Sequence, residues 1–147
     1  MKITNLKLLA TSDKDLRVIA AHLQDSIVLP KDIANLKKNR IFFIQLNRFM
    51  WEDIEKGVFR KNKRIRTVLK FDNVINIVSK NINIKDNKNF LEFLTIENTL
   101  MSDKSHEINL IFSGNAIIKI NAEVIDVTLD DQGSPWESKT APKHNFL

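Results

Sequence analysis

FRKNKRIRTVLKF, Phe59 to Phe71, holds six basic residues and no acid. Its second half decides the fold. In RIRTVLKF, Arg64, Arg66, Val68 and Lys70 alternate with Ile65, Thr67, Leu69 and Phe71. A pleated strand turns that period of two into opposite faces, one cationic and one mainly apolar. Alternate residues stand about 6.6 to 6.8 Å apart along a strand, close to the spacing of adjacent phosphates. Lys61 and Lys63 extend the row into the preceding loop, so Lys61, Lys63, Arg64, Arg66 and Lys70 form a candidate anion-binding set. The competing role for the same charges is the wet face of a strand, or gatekeepers that stop an exposed edge from pairing with another chain.

The charge of the chain is concentrated in this region. Its formal net charge is +5, and the seven bases between Lys56 and Lys70, unaccompanied by any acid, account for more than all of it, leaving −2 elsewhere. Up to Phe71 there are 16 basic and 7 acidic residues; after it, 7 and 11. Such asymmetry steers an anionic partner to one side. A nucleic-acid reader of the stacking kind interleaves aromatics with its cations. Here Phe59 and Phe71 only flank the cluster, Phe71 on the inward side, and the chain has no tyrosine. The ribonucleoprotein signature is also missing, which argues against sequence-specific RNA reading.

Working outward, every apolar run after residue 27 is short, rich in Ile, Val and Phe, and bounded by Asn, Asp, Gly or Lys. The spacing predicts strands over 27–36, 40–49, 64–71, 74–80, 90–98, 107–113, 116–122 and 124–129. Lys37 to Asn39, Asp72-Asn73 and Gly114-Asn115 are short links of the kind that join antiparallel neighbours. Before them, Ser12 with Asp15 makes a capping-box variant, and Leu16, Ile19, Ala20, Leu23 and Ile27 recur at helical spacing over about thirteen residues. The fold expected is α+β, an N-terminal helix packed on a predominantly antiparallel, curved sheet. Leu69-Lys70-Phe71 followed by Val74 to Ile77 is echoed by Ile118-Lys119-Ile120 followed by Val124 to Val127. The chain therefore reads either as a single domain, 1–147, built on one curled sheet, or as a tandem duplication with halves near 26–80 and 90–130 and a tail over 131–147.

Zero cysteines removes disulfides and thiolate sites and fits a reducing compartment. The start, MKITNLKLLATSDKD, lacks the apolar core of a secretory signal, and no window approaches eighteen apolar residues. A cytoplasmic protein is expected.

Leu16 onward to Ala21-His22-Leu23-Gln24-Asp25, then Leu46-Asn47-Arg48-Phe49 with Trp51-Glu52, Arg64 to Phe71-Asp72, and Gly133 with Pro135-Trp136 resemble an alphaproteobacterial family, domain of unknown function 2948. The resemblance spans nearly the whole chain. It implies a bacterial cytoplasmic housekeeping setting and brings no catalytic or binding residue with it. This chain departs from the pattern in its Lys, Asn and Ile content, where relatives tend to Ala and Arg, and in ending Asn145-Phe146-Leu147.

No motif carries chemistry. His22, His106 and His144 are far apart, so no metal site and no cofactor is expected. His22 and Asp25 fall on one helical face at i and i+3, the only arrangement here that would orient an imidazole for proton transfer, and the commoner outcome is a surface pair. Serines lack the nucleophile elbow, and three scattered glycines make no phosphate loop. Asp130-Asp131 reads as a solvated turn before Gly133. Trp136 is expected to dock back on the sheet or across a subunit interface, and Trp51 to join Phe49 in the core. The function expected is a non-enzymatic binding or adaptor module whose basic strand face meets an anionic partner, whether protein, nucleic acid or phosphorylated metabolite. The alternatives are a small enzyme with a site near His22 and Asp25, or a structural homodimer.

Overall fold

In the computed structural model, which describes residues 5–51, 63–83, 85–86 and 88–137, the RIRTVLKF segment is extended and central. The elements in chain order are β1 (Lys7–Ala10), α1 (Asp13–Leu23), β2 (Ile27–Val28), β3 (Ile33–Leu36), β4 (Ile41–Phe49), β5 (Lys63–Phe71), β6 (Val74–Lys80), β7 (Leu91–Leu100), β8 (His106–Phe112), β9 (Ile117–Ala122) and β10 (Val127–Glu137). Short 3-10 turns at Pro30–Asp32 and Lys37–Asn39 flank β3.

All pairings are antiparallel, in the order β1-β10-β5-β4-β2-β7-β8-β9-β6, with β3 beside β4. The sheet curls without closing, as a one-helix α+β fold with a curved sheet requires. Its two halves are joined at two places. Ile27 in β2 pairs with Asn47 on one side and Glu92 on the other, and so joins the β4 half to the β7 half. At the opposite corner the links β5–β6 and β9–β10 cross side by side, with Asp72 N donating to Asp126 O at 2.9 Å and Glu123 N to Asn73 O at 3.0 Å.

That crossing corrects one expectation. Asp72-Asn73 does not make a hairpin: β5 pairs with β10 and β4, whereas β6 leaves to pair with β9. Asn73 turns the chain through φ 57°, a left-handed conformation that Asn tolerates better than most residues, and its Nδ2 reaches Asp126 Oδ2 at 3.3 Å. Each half thus contributes a meander, β3-β4-β5 or β7-β8-β9, and sends its fourth strand to the other meander's last strand. Two further differences concern boundaries. Ile27 to Leu36 is two strands broken by the Pro30 turn, and the last strand starts at Val127 and runs to Glu137 through a bulge between Gln132 and Trp136.

The concave side is the core. Phe42, Ile44 and Leu46 of β4, Leu69 and Phe71 of β5, Phe93 and Ile96 of β7, Ile108, Leu110 and Phe112 of β8, and Val127 and Leu129 of β10 all face it. Leu16, Ile19 and Leu23 bring the apolar stripe of α1 onto the same cluster. Burying each such side chain contributes about 1.5–3 kcal/mol. Ser12 caps α1 by accepting from Asp15 N at 3.2 Å, and the Asp15 carboxylate accepts from Thr11 N at 3.1 Å. The helix ends at Leu23, earlier than the Ile27 that periodicity suggests, because Asp25 turns through φ 64° and hands the chain to β2.

Candidate binding surface

Alternation sorts β5 as its sequence requires: Ile65, Thr67, Leu69 and Phe71 are buried, while Arg66, Val68 and Lys70 face outward. Outward neighbours follow from register. Gln132 and Asn47 stand opposite Arg66; Asp130 and Gln45 oppose Val68; Thr128 and Phe43 oppose Lys70; and Lys7 of β1 lies beyond Asp130.

The five residues of the anion-binding set are not equivalent. Arg66 is exposed, and among the described residues its guanidinium meets no carboxylate; its contact is Gln45 Oε1 at 3.4 Å. It lines a recess of about 60 Å³ with Gln45, Asn47, Asp32, Ile27, Leu29 and the exposed Phe90. Lys70 is half-exposed, with Nζ 3.7 Å from Asp72 Oδ2, a pair worth little at a surface. Lys63 is the first residue of β5 rather than part of a loop, and it is in phase with the inward set, opposite Glu137. Lys61 lies outside the described residues.

Arg64 departs furthest from expectation. By alternation it belongs with Arg66, yet it is only 8% exposed. Its Nη1 donates to Asn47 O at 3.1 Å and Asp25 O at 3.3 Å, and its guanidinium carbon lies 5.9 Å from the centre of the Phe49 ring. Burial pushes its pKa below the usual arginine value, while the carboxylates of Asp25 and Glu92 draw it back. An arginine so held ties the end of α1 to the sheet and is not offered to a partner. Trp51 completes the enclosure, with Nε1 donating to Gln24 O at 3.0 Å and its ring edge-on to Phe49 at 4.7 Å.

A second pair of charges was not foreseen. β4 keeps its period of two through Phe42, Ile44 and Leu46, and the next inward residue is Arg48, fully buried. Across the concave side, Asp131 continues the inward series of Val127 and Leu129. The two form a bidentate ion pair, Nε to Oδ1 at 2.8 Å and Nη2 to Oδ2 at 2.7 Å, and Asp131 Oδ2 also accepts from Leu6 N at 2.9 Å. Asp130-Asp131 is therefore strand, not solvated turn, with one carboxylate outside and one inside. The signal was present: Arg48 is in step with three core residues.

His22 and Asp25 part company. The His22 ring directs Nδ1 to Val18 O at 2.9 Å along the helix, while Asp25 is buried beside Arg64. Among the described residues no cluster of three His, Asp or Glu could hold a metal ion, and no helix is long and apolar enough to cross a membrane. Trp136 is 41% exposed, on the outer face opposite Arg64.

Residues 6–144 match the model of the family described as protein of unknown function (DUF2948). The chain belongs to that family. The match takes in α1, every described strand and the Arg48–Asp131 pair. No curated protein and no solved structure matches it.

Proposed function

We propose that this DUF2948 protein is a non-enzymatic binding module whose outer face, across β1, β10, β5 and β4, meets an acidic surface of a partner protein in the cytoplasm. The observation that carries the reading is Arg66, an exposed guanidinium that forms no ion pair among the described residues, set among the side-chain amides of Gln45 and Asn47 beside exposed Phe90. Arginine with a neighbouring aromatic is the composition of interface anchors. Lys70 and Lys7 stand on the same face.

Acidic protein fits this face better than nucleic acid. Asp130 sits between Lys7 and Val68, and Asp32 lines the Arg66 recess. A phosphate backbone would meet those carboxylates at close quarters, whereas a protein surface of mixed sign pairs with them.

The test is the salt dependence of binding to fluorescent polyglutamate, with a single-stranded oligonucleotide in parallel. Polyglutamate affinity is expected to fall steadily as salt rises, with the oligonucleotide binding more weakly. Affinity indifferent to salt, or tighter for the oligonucleotide, overturns the reading.

A further inference from the structure

Because the sheet does not close, two strand edges face each other across a seam. Among the described residues β3 pairs as a strand only with β4, and β6 only with β9. The seam is pinned at one end, where Val74 N donates to Arg40 O at 3.0 Å and Arg40 Nε to Val74 O at 3.2 Å. From there it opens along β6. Two cavities fill it, of about 90 Å³ beside Lys37, Arg40 and Val74, and about 180 Å³ beside Ile33, Ser79 and Ile82. Both are lined by Asn35 and Ile77, so they form one groove. Its floor is apolar, made by Phe42 and Ile118 of the core. At about 3.3 Å per residue, β6 offers a rim roughly 23 Å long.

Two rims that have no second strand partner among the described residues, over an apolar floor, suit one kind of occupant. An extended segment satisfies the edge N–H and C=O groups, points alternate side chains at the floor, and turns the others outward. Charge selects the outward set. Lys37 and Lys38 stand at the pinned end, and Lys31 and Lys80 at the open end, all exposed and without an ion pair among the described residues. We propose that the seam between β3 and β6 docks an extended segment of a partner protein that alternates apolar residues with acids and adds as a strand to the free edge of β6. This site is separate from the Arg66 face and does not depend on it.

The probe is a displayed random decapeptide library, selected on the full chain. Enriched peptides are expected to alternate apolar residues with Asp or Glu, and to slow amide hydrogen exchange at residues 33–36 and 74–80. Methylating alternate backbone nitrogens of such a peptide is expected to weaken binding at least tenfold in one phase of the alternation and little in the other. Ile77→Asp is expected to weaken it at least tenfold. Lys37→Glu with Lys80→Glu, two exposed positions, is expected to weaken it several-fold at an unchanged melting temperature. The proposal is overturned if no peptide is enriched, if the protected amides lie elsewhere, or if methylation is without effect in both phases. It is also overturned if the free protein dimerises through β6, since a second copy is then the occupant.

Discussion

Arg48 and Asp131 meet inside the sheet, two parallel hydrogen bonds of 2.8 and 2.7 Å between side chains each about 1% exposed. Neither has solvent to fall back on. Removing one partner leaves a buried charge, at a cost of about 3–5 kcal/mol, so Asp131→Asn and Arg48→Gln should both lower the denaturant midpoint sharply. The double replacement Arg48→Met with Asp131→Leu should cost less than either single change, which a double-mutant cycle on urea unfolding would measure.

Arg64 and Arg66 are neighbours with opposite jobs. Arg64→Gln strips donors from the part-buried carbonyl of Asn47 and the buried carbonyl of Asp25 and should cost about 1–3 kcal/mol of stability. Arg66→Gln lies on the surface and should leave the melting temperature unchanged. Thermal melts of the two single variants distinguish a structural from a surface arginine.

Asn73 turns the corner at which the two halves exchange strands, with φ 57°. Asn73→Ala places a Cβ in the left-handed region and should destabilise by about 1–2 kcal/mol. Asn73→Gly loses the bond to Asp126 as well, yet should retain more stability than the alanine variant because the backbone strain is gone.

The Thr11 N–H, with help from Ser12, holds the Asp15 carboxyl below its ordinary 3.8. A carboxyl depressed in the folded state contributes fully above its unfolded pKa, and that contribution is lost as pH falls through the folded value. Acid titration of α1 by amide exchange should show the cap loosening below about pH 4, and Asp15→Asn should remove that part of the pH dependence.

The parts of this fold that were legible in sequence are those decided locally. The helix cap needs only Ser12 and Asp15, and the faces of β5 need only alternation. Strand exchange at Asp72-Asn73 was not legible, because a two-residue link satisfies a hairpin and a corner equally well, and only long-range packing against Glu123–Asp126 chooses. Lys7–Ala10 was missed as a strand because four residues carry too short a pattern, and β10 supplies its register. The cationic row failed at Arg64 for a similar reason: alternation sets the direction of a side chain, while Trp51, Phe49 and the Asp25 turn, remote in sequence, decide whether water reaches it.

On the proposed function, Arg66 and Lys70 are the cations a partner meets. Polyglutamate affinity of Arg66→Gln/Lys70→Gln, compared with the parent protein at low salt, tests it most directly. A loss of about five- to tenfold at an unchanged melting temperature is expected, as two exposed ion pairs would supply. An affinity equal to that of the parent would contradict it.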